Sequence, residues 1–96
     1  MKEKTLERKL VQAVKASGGI APKFISPGFD GMPDRIVLLQ GGRACFAEIK
    51  AAGKTPRALQ LKRHEQLQDL GFQVFVIDDV KQITPLLAAM KGGDSE

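Results

Sequence analysis

Asp34, Glu48 and Lys50 are the residues of this chain whose types and spacing could do chemistry. Asp34 follows Pro33 and opens an apolar run, Arg35-Ile36-Val37-Leu38-Leu39, while Glu48 and Lys50 close a second run that starts at Arg43. Gln40-Gly41-Gly42 separates the runs, and a Gly-Gly pair that accepts positive φ between two strand-length segments predicts a β-hairpin. A hairpin sets the start of its first strand beside the end of its second, and residues two apart on a strand share a face. Two carboxylates and an ammonium are therefore brought together at one sheet end, with no histidine or cysteine beside them in sequence. That donor set suits a hard cation, Mg²⁺ or Mn²⁺, held by one or two carboxylates with water completing the shell. Such an ion acidifies its water and offsets charge on a phosphate, and Lys50 is placed to orient that water or to stabilise a pentavalent phosphate. The same residues on a solvated edge would be a salt-bridge cluster worth only ~0–1 kcal/mol per pair. The Pro-Asp pair and the basic helix predicted after the hairpin favour the site.

The elements that must position this end follow from periodicity. Residues 2–16 predict a helix with an apolar stripe of Leu6, Leu10, Ala13 and Val14, stopped by Ser17-Gly18-Gly19. Glu7 shares a face with Leu10, Val11 and Val14, so it is either a boundary glutamate paired with Lys4 or Arg8 or a carboxylate aimed at the site. Ile20–Ser26 is a short strand candidate, placed at an edge by Pro22. Residues 27–32 form a Gly-containing loop on the rim of the same site. After a basic loop at 51–55, a second helix is predicted from Pro56 to Leu70 with Leu59, Leu67 and Leu70 as its buried arc. Gln60 and Arg63 lie in or beside that arc. There Gln60 either caps a neighbouring backbone or positions a water or Lys50. Lys62, Glu65 and Asp69 point away, and His64 reads as a surface residue. Residues 71–78 are almost continuously apolar, as in a strand covered on both faces, and Val80, Ile83, Leu87 and Met90 line a last helix. The predicted order is α-β-β-β-α-β-α, an α/β fold with a mixed sheet flanked by helices.

Composition is consistent with this reading. The chain of 96 residues reads as one domain over 1–91 with a flexible tail at 92–96. An apolar fraction of 43% with 27% charged residues is that of a globular fold. The net charge of +4 is compatible with an anionic partner but also common in small proteins that bind none. The lone Cys45, mid-strand between Ala44 and Phe46, excludes an intrachain disulfide and reads as a buried thiol. With a charged N-terminus and no long apolar run, neither signal peptide nor membrane span is expected, and a cytoplasmic location fits.

Pro33-Asp34, thirteen residues, then Glu48-Ile49-Lys50 resembles the PD-(D/E)xK nuclease signature. Gly31-Met32-Pro33-Asp34-Arg35, Phe46-Ala47-Glu48-Ile49-Lys50 and Arg57-Ala58-Leu59-Gln60, with Leu67 and Leu70-Gly71 after them, resemble the virus-type replication-repair nuclease family, VRR-NUC, over about residues 3–78. The resemblance implies a restriction-endonuclease-like core and a metal-dependent DNA endonuclease. It implies metal binding by Asp34, Glu48 and the backbone carbonyl of Ile49, with Glu7 as the helix-borne acid. Lys50 would be the catalytic lysine and Gln60 the glutamine of the following helix. It further implies a structure-selective enzyme, similar to Holliday-junction resolvases, that works as a homodimer. Leu61, outward on the second helix, is a candidate interface contact.

Lys54, Arg57, Lys62 and Arg63 follow the site directly, and Lys4, Arg8 and Lys15 add a flank, so these are the expected phosphate contacts. The absence of Trp and Tyr gives no stacking platform for single strands and favours duplex or branched DNA. The competing readings are a catalytically quiet DNA-binding subunit and an RNA-processing or restriction enzyme.

Overall fold

The computed structural model describes residues 1–91; the tail expected at 92–96 lies outside the described residues. The elements are α1 (Glu3–Ala16), β1 (Arg35–Leu39), β2 (Arg43–Ile49), α2 (Ala58–Asp69), β3 (Gln73–Ile77) and α3 (Ile83–Lys91), with one 3₁₀ turn at Val80–Gln82 before α3.

α1 presents Leu6, Leu10 and Val14 as one buried stripe and stops where the sequence places two glycines. Gly18, at φ +89, takes the left-handed position after the cap. Gly18 N donates to the Lys15 carbonyl and Gly19 N to the Val14 carbonyl, each at 3.0 Å, which satisfies two of the helix's last carbonyls. Gly19 is needed for a second reason. A Cβ there would lie 2.3 Å from the Leu38 carbonyl oxygen and 2.6 Å from Leu39 Cδ2, so only a bare backbone can pass so close to β1.

The hairpin forms as predicted. β1 and β2 pair antiparallel from Arg35↔Ala47 to Leu39↔Arg43, and Gly41 and Gly42 turn the chain at φ +83 and +74. β3 then pairs parallel to β2, after the crossover through α2, giving the sheet order β1-β2-β3. The strand expected at 20–26 runs along the outer edge of β1 as two isolated bridges, Ile20↔Leu38 and Lys23↔Arg35. Pro22 explains the interruption: its carbonyl accepts from Ile36 N at 3.2 Å, but it has no N–H to return the bond. β3 is the opposite edge, so Val74, Phe75 and Val76 are only half-buried, contrary to the expectation of a strand covered on both faces. β2 is the central strand, buried from Cys45 to Ile49.

The two sheet faces differ in chemistry. Val37, Cys45, Ala47, Ile49 and Ile77 face α1 and α3 and pack with Leu6, Leu10, Val14, Ile83, Leu86 and Met90 as the apolar core. Burial pushes the Cys45 thiol up to about 12, so it stays protonated and inert. The opposite face carries Phe46, which takes Phe24 and Phe72 edge-on at centroid distances of 5.5 and 5.7 Å. It also carries Glu48, under α2.

The inward stripe of the last two helices differs from expectation. Val80 is exposed because it belongs to the 3₁₀ turn, and Leu86 takes its place beside Ile83 and Met90. In α2 Leu67 and Gln60 are buried as expected, but the other two leucines of the expected arc are not. Leu59 and Leu70 are 44% and 73% exposed, and the buried stripe is Gln60, His64 and Leu67, at i, i+4 and i+7. His64 is thus buried rather than on the surface. A polar stripe faces inward because what it covers is a carboxylate.

Gly19→Ala should cost roughly 1–3 kcal/mol of stability, since the new methyl must displace backbone of β1 rather than a flexible side chain. Urea denaturation of Gly19→Ala beside the neighbouring Ala16→Gly control checks this, with the larger loss expected at Gly19.

Candidate active site

β1 begins one residue after Asp34, where the chain bends. Continuing the register past Arg35↔Ala47 sets Asp34 opposite Glu48, on the sheet face away from the apolar core. Asp34 Oδ2 accepts a hydrogen bond from Ile49 N at 2.8 Å, tying the start of the hairpin to its end. The next step of the register opposes Pro33 to Ile49. Ile36 and Leu38 turn their N–H groups away from β2, toward residues 20–22, so the odd positions of β1 are those that face β2. Ile49 therefore turns its carbonyl toward Pro33, which has no N–H to donate.

Glu48 is 1% exposed. Its Oε2 accepts from Gln60 Nε2 at 2.8 Å and lies 3.5 Å from Lys50 Nζ. Gln60 is in turn held at its own Oε1 by the Arg57 backbone N–H at 2.8 Å, so the first turn of α2 fixes the amide that fixes the carboxylate. Lys50 N donates to the Ile77 carbonyl at 2.9 Å, which extends the β2–β3 pairing by one residue and anchors the lysine backbone. Glu48 Oε1 has no hydrogen-bond partner, nor does His64 Nε2, which stands 3.8 Å from it. Burial pushes the Glu48 carboxyl up to about 7, the Asp34 charge adds to the rise, and Lys50 opposes it. Burial also lowers the His64 pKa.

These features fit a small oxygen-loving cation. Two carboxylates stand opposite each other at one sheet end, and a buried carboxylate oxygen is left unpaired. Among the described residues no group of three or more His, Cys, Asp or Glu side chains forms a cage.

No family model matches the chain. It is 46% identical over 87 residues to the protein named "Putative nuclease p44" of Acyrthosiphon pisum secondary endosymbiont phage 1, a match that covers 88% of this chain and 94% of that one. A solved structure described as a VRR_NUC domain superposes with a TM-score of 0.84 at 31% identity, covering 88% of this chain and 92% of the other. The chain belongs to the VRR-NUC family. Its α/β fold and element order are those that the resemblance implied.

The VRR-NUC fold brings Asp34, Glu48, Lys50 and Gln60 together as anticipated from sequence, and sets Glu7 differently. Glu7 accepts from Arg35 Nε at 2.7 Å, neither from Lys4 nor from Arg8, and Arg35 Nη1 binds the Ala21 carbonyl at 2.9 Å. Arg35 lies on the α1 side of the sheet, so this pair locks the helix to β1 and to the incoming edge segment. Glu7 nevertheless lines a cleft of about 220 Å³ together with Glu3, Lys23 and Asp34. Glu3 was missed in the sequence, although it stands one turn before Glu7 on the same face; its charge contributes to the raised pKa of Glu48.

Of the basic residues, Lys4, Arg8, Lys54, Arg57 and Lys62 are exposed. Arg63 is committed elsewhere. Its Nε donates to the Asp30 carbonyl at 2.7 Å, its Nη1 to Gln66 Oε1 at 3.0 Å, and its guanidinium lies 3.8 Å over the Phe29 ring. Arg63 thus fastens loop 27–32 to α2, and that loop leads directly into Pro33-Asp34. Among the described residues no helix is long and apolar enough to cross a membrane.

Two outcomes follow. Because the Glu48 pKa lies above its unfolded value, its burial is tolerated below about pH 4.5 and costs stability as pH rises through about 7. In EDTA, Glu48→Gln should therefore stabilise the protein relative to wild type by roughly 1–3 kcal/mol at pH 8 and by much less at pH 5, read from denaturation midpoints. Arg63→Ala should raise amide exchange across residues 28–32 by ~10-fold or more, whereas Lys62→Ala should leave that exchange unchanged.

Proposed function

We propose that this VRR-NUC chain is a Mg²⁺- or Mn²⁺-dependent endodeoxyribonuclease that hydrolyses phosphodiester bonds, with preference for branched DNA such as Holliday junctions. The observation that carries the reading is the buried Glu48 carboxylate, held on Oε2, open on Oε1 and set across the hairpin from Asp34. Asp34, Glu48 and the Ile49 carbonyl would hold the cation. When bound, it supplies an acidified water and charge compensation on the scissile phosphate.

The chain's own residues supply the rest. Lys50, one side-chain step beyond Glu48 and 3.5 Å from its Oε2, donates to the attacking water or to a non-bridging phosphate oxygen as negative charge develops there. Gln60 keeps the carboxylate in one orientation, and its hold on the α2 backbone means that orientation does not have to be found on substrate binding. Glu7, already engaged by Arg35, acts from the rim by fixing α1 over β1. Lys4, Arg8, Lys54, Arg57 and Lys62 contact phosphates on either side and confer affinity without reading sequence.

The branched-DNA preference rests on size and symmetry. A single copy of this length spans little of a junction, whereas two copies related by a two-fold axis present two sites, as a four-way junction requires. Leu61, 53% exposed on α2, is a candidate contact between the copies.

Labelled four-way junction, flap and linear duplex, each incubated with Mg²⁺, Mn²⁺ or EDTA, test the whole reading. Wild type should cut the junction fastest, EDTA should abolish cutting, and Lys50→Ala should lose about 10²-fold or more. Equal cutting of all three substrates would remove the junction preference and keep the chemistry. Binding without cutting under every metal condition would sink the enzyme reading and leave a DNA-binding subunit.

A further inference from the structure

The buried stripe of α2 places two polar side chains one helical turn apart, and each meets a different oxygen of Glu48. Gln60 Nε2 donates to Oε2 at 2.8 Å. His64 Nε2 faces Oε1 at 3.8 Å, with 5% of the residue exposed, and neither atom has another partner. Two complementary polar atoms shut away from water and left unpaired are costly unless they pair with each other or with something between them. A bridging water would need roughly 5 Å between the two heavy atoms at ordinary hydrogen-bond lengths. The gap is too short for that and about 0.8 Å longer than a direct bond, and side-chain pairs in such sites commonly close only when the partner ligand arrives.

We propose that His64 is a positioning residue for Glu48, donating from Nε2–H to Oε1 so that α2 grips both oxygens of the carboxylate. The inference rests on the metal-site reading given under Proposed function. With Gln60 on one oxygen and His64 on the other, the carboxylate cannot rotate about its terminal bond, and its remaining lone pairs are presented toward Asp34. Supports of this kind commonly change metal affinity or activity by 10–100-fold when removed, without touching substrate. Nothing in the spacing of His64 announced this, because its acceptor arrives from a strand sixteen residues earlier in the chain.

The test exploits reach. The Gln amide nitrogen extends about as far from the backbone as Nε2, and the Asn amide about as far as Nδ1. His64→Leu and His64→Asn should each weaken Mn²⁺ binding, measured by calorimetry, by about 10-fold or more and lower kcat by a similar factor while leaving KM for DNA within a few-fold. His64→Gln should restore both to within a few-fold of wild type. If all three variants bind Mn²⁺ and turn over like wild type, His64 is only a core side chain and the proposal fails. A metal-free readout separates this from failure of the metal reading itself. In ¹⁵N imidazole spectra of the EDTA-treated protein, the His64 proton should sit on Nε2, exchange slowly, and lose that protection in Glu48→Leu. A proton on Nδ1 with bare Nε2 overturns the proposal whether or not the wild type binds Mn²⁺.

Discussion

A carboxylate withheld from water is the constraint on which this small fold turns. Glu48 sits at 1% exposure at the end of the central strand, where an isolated ionised group would be prohibitively unstable. Its surroundings supply partial compensation: an amide on one oxygen, an ammonium at 3.5 Å, and an imidazole at 3.8 Å from the other oxygen. The compensation is incomplete, since the carboxyl is still pushed up to about 7 and Asp34 makes matters worse. Two acidic groups opposed across the hairpin, one of them with an unpaired oxygen that faces His64, form a site short of one positive charge. The fold keeps that deficit, and the cation proposed for this site would offset it.

The backbone around the carboxylate is arranged to the same end. Because β1 begins only after Asp34, the Ile49 N–H finds no strand partner and takes the Asp34 side chain instead, at 2.8 Å. Pro33 occupies the position from which an N–H would otherwise reach the Ile49 carbonyl. The proline and the aspartate thus act as a pair: one withholds a donor from an oxygen, the other accepts from the neighbouring nitrogen. On the far side, Lys50 N still bonds the Ile77 carbonyl at 2.9 Å, so β2 stays ordered to its last residue although its β1 partner has ended. The opening lies on one side of the strand only.

The hairpin end was legible because it is local. Gly41-Gly42 fixes the turn, the turn fixes the register, and the register brings Asp34 to Glu48 with no help from the rest of the chain. What could not be read is what depends on packing across the sheet. Periodicity places Gln60 and Leu67 on the inward side of α2 correctly, but the leucine pattern does not show that the helix lies over a polar end of the sheet, which turns His64 inward and leaves Leu59 and Leu70 out. His64 looked like a surface residue for the same reason. Glu7 was ambiguous because its partner, Arg35, sits 28 residues away on another element. Arg63 read as a phosphate contact, and only the folded chain shows that Asp30 and Phe29 occupy it.

The charge layout follows from the same geometry. α1 brings Glu3 and Glu7 to the Asp34 cleft with its first turn, and α2 brings Gln60 to Glu48 with its first turn, so both helices direct their N-terminal ends at the site. Those ends carry partial positive charge and unpaired N–H groups, which favour anions. Exposed lysines and arginines neighbour those ends in sequence, at 4 and 8 on α1 and at 54, 57 and 62 before and within α2. A polyanion approaching this surface meets attraction at the rim and repulsion from the carboxylates at the centre. The centre becomes attractive to phosphate only once its own negative charge is neutralised. On the proposed reading, cation and nucleic acid would therefore bind cooperatively, because each would supply the charge that the other lacks.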